Sequence, residues 1–166
     1  FRTVLMNLAN PDNITSNIDK SRFVVLHDKL IQGRTDKNPI ATSVLEVTVS
    51  TDLKQIQTLR KQIEEAKAKG DNLAFEIIEL ANSMAQQIQA SLKLKKILLE
   101  IIHPDDIKDS NKKIRFMELH EKLNMESQRG NALATKILAV NDTTTDSAIE
   151  DLMTDLKAAK ENEDSL

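Results

Sequence analysis

The chain holds 166 residues, 40% hydrophobic and 30% charged, with a formal net charge of −3 and 2% aromatics, which suits one domain, or two small ones, around an aliphatic core. Three Gly, three Pro and no Tyr or Trp are too few turn and strand formers for a β-sandwich or barrel, and the lack of Cys excludes disulfides, zinc-thiolate sites and thiol catalysis. The acidic balance argues against binding along a nucleic-acid backbone, and no apolar run approaches the ~20 residues of a membrane span.

The opening residues Phe1-Arg2-Thr3 have neither an initiator Met nor a signal-peptide layout. Residues 1–10 read as the end of a preceding helix, so a piece of a longer protein is expected. Asn10-Pro11 then reads as a cap followed by a helical restart. Phe23, Leu26 and Leu30 at i, i+3, i+7 predict a helix over about residues 18–32. Asn38-Pro39 opens a third helix, striped by Ile40, Val44 and Val47. The β-branched run Val47-Thr48-Val49 predicts that it frays there. Thr51 or Asp52 caps a fourth helix to about Lys69, with Ile56, Leu59, Ile63 and Ala66 on one face and Gly70-Asp71 as its stop. The longest element is expected over residues 72–102, carried by Leu73, Ile77, Leu80, Met84 and Ile88 and then by Ile97, Leu98, Ile101 and Ile102. At ~1.5 Å per residue it is about 45 Å long, and it is expected to pack against both halves of the chain.

The second half resembles the first. Residues 11–73 align without gaps with residues 104–166 at a constant offset of 93, with 22 of 63 positions identical. Pro11-Asp12 pairs with Pro104-Asp105, and Asn38, Ala41 and Thr42 pair with Asn131, Ala134 and Thr135. Arg22, Phe23, Leu26, His27, Lys29 and Leu30 recur as Arg115, Phe116, Leu119, His120, Lys122 and Leu123. The expected fold class is therefore all-α: a helical repeat or bundle with two copies of a 93-residue unit of about four helices. Residues 1–10 would end a preceding helix. Residues 11–103 form the first copy, including the joining helix 72–102, and residues 104–166 a truncated second one.

Chemistry is sparse. His27 and His120 lie on or beside the apolar stripe, so each is either a partner-binding imidazole or a boundary histidine that donates to a neighbouring helix. The remaining histidine, His103, heads His103-Pro104-Asp105-Asp106. Acidic residues there are what a helix N-terminus favours. Three histidines and no cysteine give no zinc site, and no metal or cofactor is expected. Lys93, Lys95, Lys96, Lys112, Lys113 and Arg115 form a basic neighbourhood without interleaved aromatics, which reads as a solvated face. Residues 142–166 are acidic, with eight Asp or Glu against two Lys. No nucleophile elbow, phosphate loop or zinc-protease helix occurs.

The expectation is a non-enzymatic helical-repeat module that binds another protein, with no nucleic-acid partner and no transmembrane segment. Its candidate contacts are Arg22, His27, Arg115 and His120, with Met117 and Met125 as unrepeated apolar positions. The alternatives are a structural spacer in a multidomain protein, or a fragment of a bacterial secreted effector that binds a host protein. A cysteine-free chain suits the cytoplasm, with secretion as an effector the other reading.

Overall fold

Short polar caps set where the helices of this chain begin. The computed structural model describes residues 1–162, with the backbone alone at Ile18. α1, Arg2–Ala9, ends at Asn10, whose side chain accepts from the Asp12 N–H and opens a single 3-10 turn at Pro11–Asn13. Ser16 caps α2, Asn17–Thr35. Asn38 caps α3, Pro39–Leu45, accepting from the Ala41 N–H at 3.0 Å, with Pro39 where a missing N–H costs nothing. Asp52 and Gln55 form a capping box at the head of α4, Leu53–Ala68. Asp71 then accepts from the Ala74 N–H at 2.9 Å as α5, Asn72–Ile102, begins.

A second 3-10 turn follows at Pro104–Asp106. Asp109 caps α6, Ser110–Gln128; Asn131 caps α7, Ala132–Leu138; and Thr145 caps α8, Asp146–Glu161. Helices α2, α3 and α4 have 19, 7 and 16 residues, and so do α6, α7 and α8, each beginning 93 positions later. Among the described residues there is no strand. None of the described helices is long and apolar enough to cross a membrane.

The chain divides into two compact units, residues 1–85 and residues 86 onward, and the division falls within α5. In unit 1 the apolar stripes of five helices meet. Val4, Leu5 and Leu8 of α1 share one buried cluster with Phe23, Leu26 and Leu30 of α2 and with Ile40, Ala41 and Val44 of α3. Ile56, Leu59 and Ile63 of α4 and Ala74, Ile77 and Leu80 of α5 complete it. Each buried Val, Leu, Ile or Phe side chain of the cluster contributes about 1.5–3 kcal/mol relative to exposure. The first half of α5 lies antiparallel to α2. Gly33 meets Leu73, Lys29 pairs with Glu76 at 2.8 Å, and Arg22 reaches Ser83. A Cβ at Gly33 would stand 2.5 Å from Leu73 Cδ1, so that side chain would have to shift.

Unit 2 has its own, smaller cluster. It holds Leu98 and Ile101 of α5, Leu123 of α6, Ala134 and Ile137 of α7, Val140, and Ile149 and Leu152 of α8. The two ends of α5 thus each supply one core, as the sequence led us to expect of the long helix.

Among the described residues, three helix ends close on a left-handed residue: Lys37 (φ 61) after α2, Gly70 (φ 90) after α4 and Gly130 (φ 90) after α6. In each case the next amide bonds back to the helix: Asn38 to Gly33 O at 2.8 Å, Asp71 to Ala66 O at 3.0 Å and Asn131 to Glu126 O at 2.9 Å. These are Schellman closures, which favour glycine because it lacks a Cβ. Lys37 and Gly130 occupy the same place 93 residues apart, so α2 carries a strain of roughly 1 kcal/mol that α6 lacks.

Candidate functional site

The four residues singled out from the sequence lie on α2 and α6, two in each unit. Arg22 is exposed on α2 and donates to Ser83 Oγ at 2.7 Å, with Met84 Sδ at 4.0 Å. His27 Nδ1 lies 2.6 Å from the Leu8 carbonyl oxygen. A carbonyl only accepts, so Nδ1 carries the proton, and the ring ties α2 to the last turn of α1. Arg115, the α6 counterpart of Arg22, is exposed. His120 Nδ1 is buried without a hydrogen-bond partner among the described residues, a costly arrangement for a polar atom.

His120 also lines a cleft of about 280 Å³ with Ile102, His103, Pro104, Met117 and Glu121. The structure therefore brings together two histidines that the sequence keeps 17 residues apart. Asp105 and Asp106 border the same cleft from the 3-10 turn. Among the described residues no group of three or more His, Asp or Glu has an arrangement that would hold a metal ion.

The basic neighbourhood is divided among local acceptors within unit 2. Lys95 donates to the carbonyls of Asp142 and Thr144, both at 2.9 Å. Lys112 pairs with Glu100 at 2.8 Å and places its ammonium 5.3 Å from the centre of the Phe116 ring. Lys113 pairs with Asp105 at 3.6 Å. In the acidic stretch, Asp155 pairs with Lys136 at 2.7 Å. Glu163 and Asp164, with the rest of the expected second copy beyond residue 162, lie outside the described residues.

The feature that sequence reasoning missed is a face of unit 2. Phe116, Leu119, Leu133 and Leu156 pack against the unit 2 core but remain only partly buried. Their counterparts 93 residues earlier, Phe23, Leu26, Ile40 and Ile63, are 1%, 5%, 7% and 0% exposed. In unit 1 the first half of α5 shares the cluster with those four side chains and covers them. Three basic residues hold it there. Lys29 pairs with Glu76, Lys67 of α4 pairs with Glu79 at 3.4 Å, and Arg22 donates to Ser83. All three recur on unit 2 as Lys122, Lys160 and Arg115, where no described residue takes the place of residues 73–84. The identical Arg and Lys pairs were visible in the sequence, but their shared role was not.

The chain matches no protein-family model, no curated protein and no solved structure.

Proposed function

We propose that this chain is a non-enzymatic helical-repeat module that binds another protein, built from two copies of a 93-residue unit of about four helices. Contacts that recur at that offset support the duplication. Arg2 donates to the Val49 carbonyl at 2.6 Å and Lys95 to that of Asp142 at 2.9 Å, tying the equivalent helix to the equivalent loop. Lys20–Asp12 at 3.4 Å recurs as Lys113–Asp105 at 3.6 Å. The turn held by Thr51 Oγ1 on the Thr48 N–H recurs as Thr144 Oγ1 on the Asn141 N–H, both at 2.9 Å.

The observation that carries the binding role is the partly open apolar face of Phe116, Leu119, Leu133 and Leu156 beside Arg115. Large apolar side chains next to an arginine are the material of interaction hot spots. The test is affinity capture by residues 1–166 from a lysate of the natural setting, read by mass spectrometry. One enriched protein, lost when Arg22 and Arg115 are replaced by Ala, is the expected result. No enrichment above a control with a scrambled surface would favour a structural spacer.

A further inference from the structure

We propose that the tip of unit 1, formed by the α3–α4 loop and the head of α4, docks on an anionic phospholipid membrane. Val49 and Leu53 enter the interface, and Arg2, Lys54 and Lys61 meet the charged headgroups. The inference goes beyond the protein-binding role and does not rest on the face of unit 2 that carries it.

Val49 and Leu53 are the most exposed large apolar side chains among the described residues, at 77% and 63%. The loop is fixed from within. The Thr48 N–H donates to Thr51 Oγ1 at 2.9 Å, and Arg2 donates to the Val49 carbonyl at 2.6 Å. The backbone is thus held inside the tip while both aliphatic side chains stay in water. Leu53 shares a stripe of α4 with Arg60, whose guanidinium lies 5.2 Å from the centre of the Phe1 ring, so it stands on the α1 flank beside Arg2.

The charge around the pair is positive. Residues 53–63 of α4 include Lys54, Arg60 and Lys61 and no acidic residue. α4 buries Ile56, Leu59 and Ile63, which turns Lys54 and Lys61 to the opposite, outer side of the helix. The Lys61 side chain is 78% exposed, with Glu65 at a loose 3.9 Å. Two nearby carboxylates are taken up locally: Asp52 accepts from the Gln55 N–H at 2.8 Å, and Glu64 pairs with Arg60 at 3.1 Å. Glu46 lines the cleft on the α3 flank of α4, with Gln55 and Gln62.

The second half of the chain shows that the fold does not require this surface. There Asp142 and Asp146 hold the places of Val49 and Leu53, and Ser147 and Thr154 those of Lys54 and Lys61. Yet α8 starts in the same register as α4, after the same turn, closed by Thr144 Oγ1 on the Asn141 N–H. Aliphatic side chains kept in water where aspartates serve the fold equally well mark a contact surface. A protein partner would have to offer a recess for each of them. A bilayer interface yields to both, and its anionic headgroups match the lysines and the arginine.

The test is co-sedimentation of the full 166-residue chain with vesicles of phosphatidylcholine alone and of phosphatidylcholine mixed with phosphatidylserine. Binding to the mixed vesicles only is expected, and it weakens as salt is added. Val49→Asp with Leu53→Asp should weaken it about tenfold or more. The thermal melt should not change, because unit 2 carries the same pair. Lys54→Gln and Lys61→Gln should each weaken binding about fivefold. The chain has no Trp, so Val49→Trp supplies a single reporter whose emission shifts to the blue on the mixed vesicles. Val25→Trp, at an exposed position of α2, should show no shift.

Absence of binding to the mixed vesicles, binding that withstands either set of substitutions, or an equal shift from positions 49 and 25 overturns the proposal. So does capture of a lysate protein that is lost on Val49→Asp with Leu53→Asp while the vesicles stay unbound, since the tip would then be a protein contact. Capture that depends on Arg22 and Arg115 stands or falls separately.

Discussion

Phe23 and Phe116 hold the same place on two helices of 19 residues, each followed three residues later by Leu and four residues later by His. Phe23 is 1% exposed, whereas Phe116 is only partly buried and has a lysine ammonium over its ring. Its own helix does not explain the difference. In unit 1 a neighbouring helix lies over the stripe, and among the described residues of unit 2 none does. The histidines teach the same lesson. His27 bonds the Leu8 carbonyl, and among the described residues a buried nitrogen of His120 has no partner, although the residues around both read alike. An amphipathic stripe encodes a face; whether the face is closed depends on what the rest of the chain or a partner brings to it.

Paired substitutions sharpen this contrast. The largest effect is expected at the phenylalanines. Phe23→Ala should cost about 3–5 kcal/mol, because it empties a filled site, while Phe116→Ala should cost about 1–2 kcal/mol. Denaturant unfolding followed by probes placed separately in each unit measures both, and equal losses would erase the distinction between them. Next come the histidines. His27→Ala strips the Leu8 carbonyl of its donor and should cost about 1–2 kcal/mol. His120→Leu removes a buried unpaired nitrogen and should be neutral or stabilising by up to about 1 kcal/mol. A large loss at His120 would mean that its nitrogen has a partner in solution.

The helix ends give an effect of opposite sign in the two units. Lys37→Gly should stabilise unit 1 by up to about 1 kcal/mol, and Gly130→Lys should destabilise unit 2 by a similar amount. Thermal melts resolve both, and a destabilised Lys37→Gly would show that the lysine side chain does more than tolerate its backbone. The smallest effects belong to the arginines. Arg22→Ala should cost about 0.5 kcal/mol through its exposed bond to Ser83, and Arg115→Ala close to nothing. A marked stability loss at Arg115 would assign it an internal role in place of a surface one.

Much of the fold was legible because its local rules are strong. Asn38 before Pro39 gave the start of α3, the alternatives Thr51 and Asp52 bracketed that of α4, where Asp52 is the cap, and the periodic run from Leu73 gave α5 to within a residue. α2 runs to Thr35, three residues beyond its expected end, because the closing left-handed residue is Lys37 and carries no glycine signature. The core stripes of unit 1 were read correctly for the same reason that amphipathic helices are readable at all. The candidate site was less legible. Arg22 and His27 stood out, but their partners Ser83 and Leu8 are 61 and 19 residues away. No periodicity reports such pairings. That His103 and His120 line one cleft depends on the path of the 3-10 turn between α5 and α6. The partly buried face of unit 2 was hidden because matching residues in the two halves suggest matching burial, and burial is decided by a third element.

The central claim is that the first half of α5 covers the stripe of α2, whereas among the described residues of unit 2 that of α6 is only partly covered. Hydrogen–deuterium exchange at paired amides of the two helices tests it most directly, since protection follows the free energy of opening. The slowest amides of α2 should exchange at least about 100-fold more slowly than those at the same positions of α6, a difference of roughly 2.7 kcal/mol. Equal protection at the paired positions, or greater protection in α6, would contradict the account.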